Sequence, residues 1–380
     1  MRRVNDRVVH VSTVHEWNDS RIFGKMCISL VRAGFDVIVL ANCDSRREVE
    51  AVRVVPVASA RSRAARLAGS LPRVAIQAWR MRAAVYHLHD PELIPLIPVL
   101  RSRGARVIYD AHEDLAAQIL EKEYIPRRVR PAVAALGRLL CLLADRTASH
   151  IVAASPKVAE SFREGHVTVV RNYPEQMPET AGTTPYEQRA HLVVYTGGLT
   201  RARGVEQMVD AMEHAGLPDD WRLRLVGPHS PDDYVDRLRR RPGWDLVEYR
   251  GAVSPREARR LTSACRIGLA VLQPIGQYVD VLPTKLFEYM SLGIPVVAAD
   301  YPLCREVVEG SKCGLVVDPT DPHAIGKAIA ELAADPEQAA AMGQRGKEQV
   351  AQRYSWAVEE KALLSVYARL TATGRDGRPR

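Results

Sequence analysis

The sequence predicts an α/β protein built from two Rossmann-like, doubly wound domains. Three observations carry that expectation. Short runs of Val, Ile and Leu alternate with longer amphipathic stretches along the whole chain, the pattern of parallel strands covered by crossover helices. The runs fall into two series, separated by a stretch with three prolines and almost no aliphatic periodicity. A length of 380 residues suits two domains of roughly 100–200 residues each.

The first domain is expected over 1–172, with strands at 8–11, 37–40, 54–57, 85–88, 107–109, 151–153 and 167–170 and helices at 21–33 and 93–103. Pro56 makes the third run an edge strand at best. Residues 173–190 read as a linker. A second domain over 191–353 has strands at 192–195, 223–226, 246–249, 267–270, 294–297 and 314–317. The helical run 354–370 is expected to cross back to the first domain. The polar, basic, Gly- and Pro-containing end, 371–380, is expected to be a disordered tail. Two such domains facing a central cleft bind ligands at the carboxyl ends of their strands, so functional residues are sought just after strands.

Composition narrows the classes. With 47% hydrophobic and 26% charged residues the chain is globular. Asn5, Asp6 and Arg7 interrupt any signal-like apolar run after Met1-Arg2-Arg3, and no run approaches the ~18 apolar residues of a membrane span. The expected location is the cytoplasm. Six cysteines without close pairing suggest neither a zinc ribbon nor a disulfide framework. A net charge of +8 favours anionic partners.

After the run 192–195 comes Thr196-Gly197-Gly198-Leu199-Thr200-Arg201-Ala202-Arg203-Gly204, followed by a helical pattern over 205–214. Glycines let backbone amides approach a phosphate, and a helix N-terminus adds positive potential. Arg203 beside it suits a diphosphate. Alone, such a loop is also an ordinary tight turn with a solvated Arg. Its expected partner is Asp280-Val281-Leu282-Pro283-Thr284-Lys285-Leu286-Phe287-Glu288, with Pro283 at a helix start and Gly293 past its end. Lys285 and Glu288 project from one face near the positive end. The cation can meet phosphate, and the carboxylate can accept from two ribose hydroxyls. A Lys-x-x-Glu pair is commonly just an ion pair, but in an otherwise apolar helix a ligand accounts better for the two charges.

At these residues the sequence resembles the retaining GT-B glycosyltransferases of family 4, over nearly the whole chain and most specifically over 282–300. The family's acid, seven residues, then Glu is matched by Asp280 and Glu288, with Asp for the usual first Glu. The resemblance implies that Glu288 holds the ribose and that Asp280 touches donor-sugar hydroxyls. Arg203-Gly204 resembles the family's Lys-Gly diphosphate clamp. Gly198 stands where many members carry a second Arg, which leaves the phosphates to Arg203 and Lys285. Val281-Leu282-Pro283 replaces the family's Gly-Phe-Gly, removing one amide donor. The stretch 249–253, with Arg250, resembles the loop that receives the base, and also reads as a plain strand end. Gly197, Gly198, Leu282 and Thr284 complete the expected nucleotide contacts.

In the first half, His112 follows the strand run 107–109, where family members carry a His near the donor sugar; its expected role is hydrogen bonding. The segment from His15 to Arg21 takes the place of the family's acceptor-side loop without its Gly-Gly. Asn18, Asp19 and Arg21, with His89 and Asp90, are the acceptor-side candidates, while Asp19 or Ser20 also suits a helix cap. His87, His89, Asp90 and His112 are residue types that bind zinc or manganese. Against a metal, no Asp-x-Asp pair occurs, and Arg203 with Lys285 already supplies positive charge, so none is expected.

Arginines at 61, 63, 66, 73, 80 and 82, and at 127, 128, 130 and 138, stand in apolar frames. They suit either an anionic membrane surface, on the inner face, or a solvated face over a packed stripe. With 6% aromatic residues and no stacking platform, nucleic acid is not an expected partner. The resemblance implies retaining, metal-independent transfer from a nucleotide sugar, UDP-sugar favoured, to a hydroxyl of a glycan, lipid-linked or natural-product acceptor. No cofactor is expected beyond that co-substrate. The alternatives are a non-hydrolysing sugar-nucleotide epimerase and a non-catalytic binder of anionic ligands. A dehydrogenase is disfavoured because neither half begins with strand-Gly-x-Gly-x-x-Gly.

Overall fold

The computed structural model describes residues 6–57, 71–121, 125–175 and 184–372. Packing divides the chain into two compact units, one of Met1–Asn172 with Trp356–Arg380 and the other of Tyr173–Ser355. Arg61, Arg63 and Arg66, residues 176–183 of the expected linker and 373–380 of the expected tail lie outside the described residues.

The first unit is built on β1 (Arg7–Glu16), β2 (Asp36–Asn42), β3 (Arg47–Val49), β4 (Val52–Val57), β5 (Val85–Leu88), β6 (Arg106–Ala111), β7 (His150–Ala153) and β8 (Val167–Val169). They form one sheet in the order β3-β4-β2-β1-β5-β6-β7-β8. All neighbours are parallel except β3 and β4. Side chains alternate between two apolar layers. Val9, Val11, Leu40, Leu88 and Ile151 face the helices Leu71–Met81, Leu96–Arg101 and Arg130–Thr147. Val8, Val37, Val39, Ile108 and Val152 face the helical segment from Ile22 and the C-terminal helix Trp356–Ala372. Burial on both faces explains why these strands read as nearly continuous aliphatic runs.

Two expectations need correction. The run 54–57 is not an edge strand, because β4 lies between β2 and β3. Pro56 is tolerated because β3 pairs only with residues 52–54 of β4, so at Pro56 the strand has a neighbour on one side only. The predicted helix 21–33 opens as a wide π-turn over Ile22–Cys27 before becoming α over Ile28–Arg32.

The second unit carries β9 (Leu192–Thr196), β10 (Arg222–Val226), β11 (Val247–Gly251), β12 (Ile267–Ala270), β13 (Val296–Ala299) and β14 (Gly314–Val317). Its all-parallel sheet runs β11-β10-β9-β12-β13-β14. The chain builds outward from β9 to β11, then returns to lay β12 against the other side of β9, so the topological switch lies between β9 and β12. The helix Val205–His214 buries Val205, Met208, Val209 and Met212 on one face of the sheet. The helix Thr284–Ser291 buries Leu286, Phe287, Tyr289 and Met290 on the other. Gly268 of β12 admits the Tyr289 ring, since a Cβ there would stand 2.5 Å from it. Among the described residues, no helix is long and apolar enough to cross a membrane.

Candidate active site

In open α/β sheets ligands bind at the carboxyl ends of strands beside the switch point. In the second unit those ends carry the loop 197–204 after β9 and the segment leading from β12 to the helix Thr284–Ser291. Gly204 joins the two: it sits at φ +76°, and a Cβ there would be 2.2 Å from the Val271 carbonyl oxygen. Gly204 also opens the helix Val205–His214.

The loop's amides are less free than the sequence suggests. Gly197 donates to the Val226 carbonyl at 2.8 Å and Leu199 to that of Pro228 at 2.7 Å. Gly197 therefore shapes the loop instead of presenting its amide to a phosphate. Gly198 faces open space, with no atom within 4 Å of a Cβ built on it. Arg203 lies with its guanidinium 5.3 Å from the Tyr278 ring centroid, a contact that holds a cation without neutralising it.

The Lys285 side chain packs beside this loop, its Cε 3.7 Å from the position of a Gly197 Cβ. Its Nζ meets Glu288 Oε2 at 2.6 Å. Glu288 is 40% and Lys285 23% exposed, so the pair stands in reach of solvent. Tyr195, at the head of β9, joins the cluster electrostatically. Burial pushes its hydroxyl up to about 12, the Arg203 charge works against that rise, and Tyr278 and Glu288 add to it. Arg259, half-buried on the helix Pro255–Ser263, is lowered by burial and sustained by the Glu288 charge. Asp280 and Thr284 are exposed and Leu282 is half-buried. Arg250 is engaged by Glu248, which also accepts from Arg224 Nε at 3.0 Å and Nη2 at 3.1 Å.

In the first unit the switch lies between β1 and β5. There the structure assembles a buried polar network in which Arg21, His87, His89 and His112, named from the sequence, meet His10, Asp110 and Tyr367, which were not. The Asp110 carboxylate accepts from Arg21 Nη2 at 2.9 Å and contacts His89 Nδ1 at 3.0 Å. His112 Nε2 stands 3.0 Å from the same carboxylate. His89 Nε2 meets His10 Nδ1 at 2.9 Å, and the Tyr367 hydroxyl meets His87 Nδ1 at 2.8 Å. Burial alone would raise the Asp110 carboxyl, but Arg21 and His112 hold it well below its usual range. Desolvation depresses His10 and His87, and brings His89 down to about 3 against the pull of Asp110.

This geometry corrects the acceptor-side candidates. Arg21 is 5% exposed and committed to Asp110 and, at 2.8 Å, to the Val170 carbonyl. His89 and Asp90 are each 2% exposed. Asp90 accepts from Ser12 Oγ at 2.9 Å and the Thr13 amide at 2.6 Å. All three side chains are therefore buried and engaged by other residues of the first unit, and are not offered to an acceptor. Asp19 Oδ1 accepts from the Arg21 and Ile22 amides at 2.9 Å each, which is the cap reading. Asn18 is exposed and His112 keeps a quarter-exposed side chain.

Donor atoms of His10, His87 and His89, and of His89, Asp110 and His112, lie within 4.8 Å of one another. In the first trio two nitrogens already bond each other; in the second the Arg21 guanidinium occupies the carboxylate. Asp90 is directed to Ser12 and Thr13, apart from both groups.

The three depressed imidazoles make folding acid-sensitive. Each is neutral when folded and takes up a proton when unfolded below pH 6.5. Stability is then complete above that pH and falls by about 1.4 kcal/mol per pH unit per histidine on acidification. For His89 the loss continues to about 3. Melting curves of the wild type between pH 7.5 and 5 should show this slope, and a His10→Asn/His87→Asn variant should flatten it. An unchanged slope would remove these imidazoles as its cause.

Two family models match the chain: that of the "Glycosyl transferase 4-like domain" over residues 20–176 and that of "Glycosyl transferases group 1" over residues 181–349. Among curated proteins, an alpha-maltose-1-phosphate synthase of Mycolicibacterium smegmatis is 29% identical over 197 residues, 48% of each chain. The chain spans about half the length, or less, of the first curated relatives it matches. Among solved structures, a sucrose-phosphate synthase from Thermosynechococcus elongatus superposes with TM-score 0.75 at 18% identity, covering 97% of this chain and 100% of the other. Anabaena HepE in complex with UDP-glucose does so with TM-score 0.70 at 16% identity, covering 96% and 99%. With both halves matched by glycosyltransferase models and the fold shared with these structures, the chain belongs to the GT-B glycosyltransferases of family 4.

Proposed function

We propose that this protein transfers a sugar from a nucleoside-diphosphate sugar, with a UDP-sugar as favoured donor, to a hydroxyl of a glycan, lipid-linked or natural-product acceptor. The reading includes retention of anomeric configuration, independence of metal ions, and action in the cytoplasm. The observation that carries it is the convergence, at the β9/β12 switch point, of the Arg203 loop with the helix bearing Lys285 and Glu288. The solved complex of HepE with UDP-glucose supports the choice of donor.

Breaking the bond from the anomeric carbon to the phosphate oxygen builds negative charge on the leaving diphosphate and positive charge on the sugar. Arg203, Lys285 and the N-terminus of the helix Thr284–Ser291 stabilise the former. The Lys285–Glu288 pair gives way as donor binds: Lys285 turns to phosphate, and Glu288 is released to accept from the ribose hydroxyls. Asp280 takes sugar hydroxyls, and His112 serves as a hydrogen-bonding group and not as a nucleophile. The acceptor oxygen attacks from the side the phosphate leaves, and a phosphate oxygen takes its proton, so configuration is retained and the proton is accounted for.

A thermal-shift panel of uridine, guanosine and adenosine diphosphates and their sugars tests this directly. At a hundredfold excess over Kd, binding adds about 2.7 kcal/mol, and the matching nucleotide should raise the melting temperature of wild type but not of Glu288→Ala. If none of the nucleotides stabilises the wild type, the donor reading is wrong. An inverted product by NMR would remove retention alone.

A further inference from the structure

The helices Leu71–Met81, Leu96–Arg101 and Arg130–Thr147 form one layer over a single face of the first sheet. They are stitched side by side: Arg103 Nη1 donates to the Trp79 carbonyl at 2.7 Å, and Arg101 Nη1 to that of Thr147 at 2.8 Å. Their inner faces supply Val74, Ala78, Leu96, Ile97, Leu100 and Ala144 to the core. Their outer faces are unusual for a solvated layer. Ile76 is 51%, Trp79 37%, Val99 46%, Leu136 56%, Leu139 60% and Leu142 41% exposed. Most of the large exposed apolar side chains among the described residues lie on these helices or on the segments flanking Arg130.

The charge on this layer has one sign. Arg73, Arg80, Arg127, Arg128, Arg138 and Arg146 are exposed. The three helices contain a single acid, Asp145, which is buried and paired with Arg163 and His166. An ordinary solvated helix face mixes charges of both signs with few large apolar residues. Leu136, Leu139 and Leu142 instead lie three residues apart along the long helix, which also exposes Arg138 and Arg146. Exposed apolar side chains interspersed with guanidinium groups fit a bilayer surface, where the former enter the interface and long basic side chains reach up to the headgroups.

We infer that this helical layer is a docking surface for an anionic lipid membrane, with the Leu136–Leu139–Leu142 stripe inserted at the interface and the arginines on lipid phosphates. The inference concerns the first unit alone and holds whichever nucleotide the second unit takes. It commits to lipid over a protein partner because the exposed charge on the three helices is all positive.

Vesicle flotation of the full-length protein tests it, using phosphatidylcholine alone and phosphatidylcholine with phosphatidylglycerol at 3:1. Wild type should float with the anionic vesicles only, and less at 0.5 M than at 0.1 M salt. Arg127→Glu/Arg128→Glu/Arg138→Glu should weaken partitioning by roughly a hundredfold or more. Leu136→Ser/Leu139→Ser/Leu142→Ser should abolish flotation, and because the changed side chains are exposed, both variants should keep the wild-type melting temperature. Absence of flotation with anionic vesicles would overturn the inference, as would binding indifferent to both variants. So would a concentration-dependent dimer, seen by light scattering, that the serine variant dissociates, since the occupant would then be a second copy.

Discussion

Lys285→Ala should lower kcat/KM for the donor by about 10²–10³-fold, the scale of losing one preorganised charge that stabilises a leaving group. Stability should change little. The pair with Glu288 is partly exposed, such pairs contribute about 1 kcal/mol or less, and Glu288 left alone remains hydrated. Arg203→Ala should cost a similar factor, because position 198, where many family members carry a second Arg, is Gly, and the loop's remaining cation, Arg201, is exposed to solvent. Gly198 also supplies the control. Nothing lies within 4 Å of a Cβ built there, so Gly198→Arg can be accommodated and should recover part of the activity lost in Arg203→Ala. Steady-state kinetics on the three variants check the set. Wild-type turnover in both alanine variants would show that these cations do not carry the leaving-group charge.

Arg21→Met should destabilise the first unit by about 3–5 kcal/mol, the cost of removing one partner of a buried ion pair. The Asp110 carboxylate is inaccessible to solvent and would be left with only imidazole contacts. Its pKa would rise and the network around His112 would loosen. The Val170 carbonyl would also lose its donor. Pairing the change with Asp110→Asn should recover part of the loss, since an amide needs no counter-charge. Denaturant midpoints of the two singles and the double form the cycle. Strict additivity would mean that the two side chains are energetically independent despite their 2.9 Å contact.

What sequence patterns reveal and conceal follows from the range of the interactions concerned. Helix 205–214 was legible to the residue, because an apolar period of 3.6 and a flanking glycine are local signals. The shared helix face of Lys285 and Glu288 was legible for the same reason, and on it the structure shows the ion pair that the sequence reading had set second to a ligand. The Asp19 cap could be read from its place before a helical pattern. Tyr278, which holds Arg203, stood two residues from the recognised Asp280, and its ring contact leaves no mark in the spacing. Arg259 comes from a separate helix and had no local signal.

The sequence by itself determined the fold class, the two successive sheets, the motif that carries Lys285 and Glu288, and membership of a glycosyltransferase family. Only the tertiary structure decided which polar side chains are spent and which are offered. His10 read as one position in an aliphatic strand, yet it aligns with His87 on the neighbouring strand and meets His89. Tyr367 closes that network from a helix 357 residues further along the chain than His10. Arg21, a candidate for substrate contact by its place after a strand, is instead buried against Asp110. Periodicity reports the faces of single elements, because it arises from backbone geometry. The fate of a charge depends on desolvation and on partners from remote strands, and these exist only once the sheet has brought the strands together.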